Sequence, residues 1–223
     1  SQIELRVLAH VANDSAMRED FLLGHDIHAS TAARVFGLPG EMVTPQMRSR
    51  AKAVNFGIVY GIGAYSLSRD IGVSVKEADA YIKEYLKNYS GVDAYMKDVA
   101  GRAKEQGYVE TIFGRRRYLP ELKSSNFNNR SFGERVARNM PIQGAAADII
   151  KIAMIKVSAR LKREGLRARM ILQVHDELIV ECPKDEQEQV KRLLEEEMEG
   201  AVELSVPMLA EANAGRTWYD AKG

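Results

Sequence analysis

Hydrophobic positions recur along most of this chain with a helical period, and with a strand period only in short stretches. Residues 2–12 read as a strand running into a helix, with Leu5, Leu8, Ala9 and Ala12 at helical spacing. Residues 13–20 are polar and turn-like. A small-residue helix over 29–36 follows, ended by Gly37-Leu38-Pro39-Gly40. Thr44-Pro45 marks the start of a longer helix: Thr can cap orphan amides, and Pro at the first helical position loses no hydrogen bond. That helix reaches Tyr60 and is broken by Gly61 and Gly63. Further helices are expected over 66–71, 75–89 and 92–105. In the second of these Ser74 and Glu77 form a capping box, and Ala78, Tyr81, Ile82 and Tyr85 make one face. Residues 108–119 read as a hairpin turning near Gly114. A polar, basic stretch over 126–140 leads into the longest helix, 142–161. Two short apolar strands, 170–174 and 178–180, are joined through His175-Asp176-Glu177, which puts two carboxylates at or beside a hairpin tip. An acidic helix over 186–198, burying Val190, Leu193, Leu194 and Met198, and a final edge strand over 206–212 complete the pattern.

Two polar patterns carry candidate chemistry. Arg48, Lys52, Phe56 and Tyr60 recur every four residues. Each step drifts only ~40° at ~100° per residue, so the four side chains wind slowly along one stripe. Its two cations lie toward the positive end of the helix dipole, where phosphate oxygens are favoured, and its two rings follow, where a nucleobase can stack. The same spacing also suits an amphipathic helix with solvated cations and core aromatics. Arg135, Asn139 and Gln143 form a second stripe at four-residue spacing. Their amide and guanidinium donors suit the minor-groove acceptors that all correct base pairs share, or a hydrogen-bonded junction between helices.

Composition narrows the class. At 223 residues and 45% hydrophobic, with no low-complexity segment, the chain folds as one large or two modest domains. No apolar run approaches the ~20 residues of a membrane span, so no membrane partner is expected. The single cysteine, Cys182, excludes an internal disulfide and fits a reducing cytoplasm. The missing initiator Met leads us to expect a processed or excised piece. A net charge of +1 hides a polarity: residues 101–141 hold nine Lys/Arg against four Glu, and 184–203 hold eight acids against three bases. One basic face for phosphates and one acidic face in solvent would account for both.

Three segments, in order, resemble the bacterial DNA polymerase I family, called family A. RSRAKAVNFGIVYG at 48–61 is similar to its central fingers motif, SQIELR at 1–6 to the tail of its first palm motif, and QVHDE at 173–177 to its last palm motif. The family's first motif reads D-Y-S-Q-I-E-L-R, so the first-motif Asp and Tyr are not in this sequence. The resemblance implies an α+β fold: an antiparallel palm sheet with helices, at 1–16 and 133–223, and an inserted, mainly helical fingers subdomain at 17–132, with thumb and exonuclease domain absent. It implies template-directed DNA synthesis, nucleotidyl transfer to a primer 3′-hydroxyl with two Mg²⁺ ions. Asp176 would be a metal ligand, with Glu177 as a secondary carboxylate. Lys52 would stabilise or protonate the departing pyrophosphate, Arg48 would hold the γ-phosphate side, and His28 would approach the triphosphate. Phe56 and Tyr60 would bracket base and sugar, and Glu4 would crowd the sugar 2′ position. Primer–template contacts would fall on Gly61, Arg135, Asn139, Gln143 and His175, with the arginines at 115–117 as a basic loop beside the channel. Partners would be primer–template DNA, a dNTP, and an upstream segment, in the same or a separate chain, bearing the thumb and the first-motif Asp. Two alternatives stand: a fragment of a single-subunit phage-type RNA polymerase, against which Glu4 and Phe56 argue, and a non-catalytic nucleic-acid-binding fragment.

Overall fold

Asp14, Asp26, Thr44 and Ser74 each stand just before a helix and turn a side-chain oxygen back onto its free backbone amides, which sets where the first half of the chain breaks into helices. The computed structural model describes residues 2–222; Ser1, the first residue of the SQIELR segment, lies outside them. Seven helices come first: α1 (Ile3–Val11), α2 (Ser15–Leu22), α3 (Ile27–Phe36), α4 (Pro45–Tyr60), α5 (Ala64–Ile71), α6 (Val75–Asn88) and α7 (Ser90–Gln106). The hairpin β1 (Tyr108–Glu110) and β2 (Arg116–Tyr118) follows, paired antiparallel with Tyr108 opposite Tyr118. Then come the helix α8 (Phe127–Arg163), the hairpin β3 (Arg169–Val174) and β4 (Glu177–Glu181), and the helices α9 (Gln187–Glu199) and α10 (Trp218–Ala221). Helices with two small antiparallel sheets make the fold α+β. Among the described residues no helix is long and apolar enough to cross a membrane.

Several elements differ from the sequence pattern. Residues 2–12 contain no strand: α1 begins at Ile3, and Leu5, Val7, Leu8 and Ala9 are all buried, so helical spacing governs the whole segment. The polar run 13–20 turns only at Asn13 and is otherwise taken up by α2 and its cap, Asp14. Asp14 accepts from Met17 N at 2.9 Å, and Met17 and Phe21 are buried. The long helix begins at Phe127, not 142. Asn126 Oδ1 accepts from Asn128 N and Asn129 N, and Pro141 is carried inside a 37-residue helix. Its first half hides its apolar face in small residues: a Cβ on Gly133 would lie 3.0 Å from Leu122 Cδ2, and Ala137 is fully buried. The 206–212 segment is not an edge strand. Ala210 N and Ala212 N donate to Glu199 and Glu195 of α9, so its amides are satisfied by side chains, not by a neighbouring strand. The palm sheet expected among the described residues is limited to β3–β4.

The chain divides into two compact units, one of Glu4–Ala145 and one of Ala146–Gly223 with Ser1–Ile3. In the first, one core cluster joins α7, the β1–β2 hairpin and α8 through Val99, Ala103, Val109, Leu119, Leu122 and Ala137. In the second, Val157, Leu161, Ala168, Val190 and Leu193 pack with Met170, Leu178 and Val180 of the β3–β4 hairpin. The acids of 184–203 are not simply a solvated face. Glu186 accepts from the amides of Arg167 and Ala168, and Glu196 and Glu197 pair with Arg160.

Candidate functional site

In the first unit the site is built on α4. Thr44 Oγ1 accepts from Met47 N, Pro45 opens the helix, and Gly61 closes it at a left-handed φ of 65°. Arg48 and Lys52 are exposed, Phe56 is half-buried and Tyr60 is exposed, so the stripe runs along an accessible face as its spacing predicts. Phe56 and Tyr60 stack, with centroids 6.2 Å apart and planes 16° from parallel. Arg48 is not merely solvated: its Nε donates to Asp26 Oδ2 at 2.8 Å. The other oxygen of Asp26 accepts from His28 N and Ala29 N at the start of α3. Burial raises the Asp26 pKa, but Arg48 and these amides outweigh it and leave the carboxyl lowered.

His28 sits beside this pair, buried, with its ring 5.9 Å from that of Phe56. Burial, reinforced by Arg48 and Lys52 and opposed by Asp26, pulls its pKa down to about 4, so the ring is neutral near pH 7. The fully buried Asn55 amide lies 3.0 Å from His28 Nδ1. Neither Asp26 nor Asn55 stood out in the sequence. An Asp two residues before a His at a helix start, and one Asn on the buried face of α4, were the available signals.

The second stripe converges on the end of α4. A Cβ on Gly61 would meet Arg135 Cγ at 3.3 Å, and Asn139 Nδ2 donates to Val59 O at 3.2 Å, one of the last-turn carbonyls without a helical partner. The Tyr60 hydroxyl hydrogen-bonds both Glu4 and Gln143. Burial and Glu4 raise its pKa, while Gln143 acts the other way, as a donor to the phenol oxygen. Glu4, Tyr60 and Gln143 thus form one polar cluster, with Tyr60 giving its hydrogen to the carboxylate. The stripe serves as a helix junction, and Arg135 remains exposed beside it. In the basic hairpin, Arg116 pairs with Glu110 and lies 4.7 Å over the Tyr108 ring.

In the second unit, His175 and Asp176 form the two-residue turn between β3 and β4, closed by the pair Val174 and Glu177. His175 takes a positive φ of 52°, and Gln173 Nε2 donates to its carbonyl. Asp176 rims a small apolar cavity of about 30 Å³ lined by Ile149, Ile150, Ala153 and Leu209. Glu177 is committed elsewhere: Oε2 accepts from Trp218 Nε1 at 3.2 Å, and Oε1 pairs with Lys222 Nζ at 3.4 Å. Among the described residues no three His, Cys, Asp or Glu side chains come together to hold a metal ion.

A stripe of cations and stacked rings on a capped helix is the equipment of a nucleotide-handling protein. The chain belongs to the family described as DNA polymerase family A, whose model matches residues 1–220. It is 55% identical over its full length to DNA polymerase I of Bacillus caldotenax and 50% identical to that of Caldicellulosiruptor bescii, covering 25% and 26% of those proteins. The chain thus spans about a quarter of the length of the curated relatives it matches. A solved structure described as the POL domain of Pol1 from M. smegmatis in complex with DNA primer-template and dNTP superimposes with a TM-score of 0.95 at 45% identity, covering all of this chain and 39% of that one.

Proposed function

We propose that this chain carries the nucleotide-handling part of template-directed DNA synthesis. The observation that carries the reading is the order along α4. Arg48, oriented by Asp26, and Lys52, beside neutral His28, give way to the stacked pair Phe56 and Tyr60, with Glu4 bonded to Tyr60. A dNTP laid along that helix would set its triphosphate against the cations and His28, and its sugar and base against the rings. Glu4, held by the Tyr60 hydroxyl, would crowd the 2′ position and exclude ribonucleotides. Lys52 would supply charge, or a proton, as pyrophosphate leaves, since only this residue of the stripe combines exposure with a compact cation. Primer–template would run past Gly61, Arg135, Asn139 and Gln143, and past His175. The fingers would be residues 17–132 and the palm 1–16 with 133–223. The complex described for the mycobacterial structure, with primer-template and dNTP, supports this reading.

Asp176 is the carboxylate we assign as an Mg²⁺ ligand, and Glu177, tied to Trp218 and Lys222, is a poorer candidate. Further ligands would come from substrate phosphates and from an upstream segment bearing the first-motif Asp. The location would be the cytoplasm. The test is primer extension with Mg²⁺ and dNTPs by the purified 223-residue chain, alone and mixed with the upstream segment of a relative. Extension only in the mixture is expected. Robust extension by the chain alone, from a preparation shown free of other polymerase, would overturn the need for a second segment. No extension in either arm, with rNTPs or dNTPs, would favour the non-catalytic reading.

A further inference from the structure

A polar chain runs through the interior of the first unit and ends on His28. Its far end is Asp20, 4% exposed, whose two carboxylate oxygens each lie 3.2 Å from Arg34 Nη2. Arg34 also hydrogen-bonds the Tyr89 hydroxyl. Tyr89 Oη is 3.1 Å from Thr31 Oγ1, Thr31 Oγ1 is 3.2 Å from Asn55 Oδ1, and Asn55 Nδ2 is 3.0 Å from His28 Nδ1. Tyr89, Thr31 and Asn55 are all fully buried, so none can turn to water for a substitute partner.

The hydrogens along this chain can be assigned from its anchored end. A guanidinium only donates, so the Tyr89 oxygen accepts from Arg34 and its single hydrogen goes to Thr31. The Thr31 oxygen accepts there, and accepts also from Asn55 Nδ2 at 3.1 Å, so its own hydrogen goes to Asn55 Oδ1. The amide atom that faces the ring is Nδ2, 3.0 Å from His28 Nδ1, and it meets the ring with its second hydrogen. Nδ1 of His28 is then an acceptor, and the ring hydrogen lies on Nε2.

We propose that Asn55, held in place by Thr31 and through it by Tyr89 and Arg34, is a positioning residue whose amide N–H fixes His28 as its Nε2–H tautomer. The inference rests on the reading of His28 as a contact to the triphosphate, and gives that contact its sign. His28 lies in the field of Arg48 and Lys52, and a pKa of about 4 denies it the option of donating as a cation. A neutral ring can donate to a phosphate oxygen only from the nitrogen that bears hydrogen. The other tautomer would turn a lone pair toward an anion. The Asn55 amide therefore decides between attraction and repulsion at a ligand that it does not itself touch.

The test is nitrogen-15 correlation spectroscopy of the histidine-labelled 223-residue chain at neutral pH, which separates the two tautomers by the shifts and couplings of each ring nitrogen. His28 is expected with hydrogen on Nε2. Thr31→Val, which keeps shape and removes the hydroxyl, is expected to release the Asn55 amide and give a mixture, and Asn55→Asp to move the hydrogen to Nδ1. A repacked but uncoupled core would not change the tautomer. Hydrogen on Nδ1 in the unsubstituted chain, or an unchanged tautomer in folded Thr31→Val, overturns the proposal. The unsubstituted chain alone can give the first result, so failure of a variant to fold does not shield the idea. Binding of dATP, measured in parallel, separates the two readings. His28→Ala should weaken it roughly tenfold to a hundredfold, the range for a hydrogen bond to a charged group. Unchanged dATP affinity with the Nε2–H tautomer present upholds the positioning by Asn55 and removes His28 from the triphosphate.

Discussion

At the scale of single residues, Arg48 and Lys52 carry the same charge in different settings. Arg48 is already engaged with Asp26, so a triphosphate must share or displace an existing ion pair, whereas Lys52 is exposed. Contacts made equally in ground and transition states shift KM, and those that strengthen as charge develops on a leaving group shift kcat. In the complete polymerising assembly Lys52→Ala is expected to lower kcat by two orders of magnitude or more, on the scale of ~3 kcal/mol of transition-state stabilisation. Arg48→Ala is expected to raise KM at least as strongly as it lowers kcat. Steady-state kinetics against dNTP concentration checks both, and equal small effects on both constants would return the stripe to a solvated helix face. Asp26→Asn should resemble a mild Arg48 change, because it keeps the helix cap and weakens only the ion pair.

At the scale of elements, one carboxylate organises two helices. Asp14 Oδ1 caps α2 through Met17 N, and Oδ2 accepts from Gly91 N at 2.8 Å in the first turn of α7. Gly91 is required there, since a Cβ would come 2.9 Å from Asp14 Cα and 3.0 Å from Ala12 O, both backbone atoms. Asp14→Ala and Gly91→Ala are each expected to cost about 2–4 kcal/mol, one by stranding buried amides and one by forcing backbone apart, and urea denaturation measures both. This junction was invisible in the sequence because its partners are 77 residues apart and Asp14 looked like part of a polar turn. Local chemistry was legible: the Ser74–Glu77 capping box, Thr44-Pro45 before α4 and both hairpins stand where the pattern put them. Patterns that depend on distant partners were not. The start of α8 at Phe127 rather than 142 is hidden because Gly133 and Ala137 make an apolar face without large side chains, and 206–212 has a strand-like pattern although α9 glutamates satisfy its amides. The α4 stripe was legible residue by residue, while its supports Asp26 and Asn55 were not, because each meets its partner across the α3–α4 contact.

At the scale of the whole molecule, the first unit hides tyrosines whose ionisation sets an alkaline limit. Burial pushes Tyr89 and Tyr95 up to about 12, and it raises Tyr85 well above the ordinary tyrosine value. A tyrosine ionises near 10 in the unfolded chain, so the folded form binds the proton more tightly. Stability is therefore full below pH 10 and falls as pH rises through 12, by about 3 kcal/mol for Tyr89 alone. Denaturant midpoints between pH 8 and pH 12 should show this decline. Tyr85→Phe should flatten it at little cost near neutrality, because the buried Tyr85 hydroxyl has no hydrogen-bond partner among the described residues. A midpoint independent of pH over that range would contradict the burial.

The bond from Trp218 to Glu177 makes the second unit its own optical probe. Trp218 is the sole tryptophan of the chain, 41% exposed, its indole N–H on Glu177 and its ring 4.9 Å beneath the Lys222 ammonium. Emission from that one fluorophore therefore originates one residue from Asp176 and responds to both neighbouring charges. Glu177→Ala should shift its emission maximum, and Lys222→Met should alter its quantum yield with circular dichroism unchanged. An emission spectrum indifferent to both substitutions would mean that the indole faces solvent alone. With both responses in place, a cation arriving at the His175–Asp176 turn can be followed by intrinsic fluorescence, without a label and without turnover.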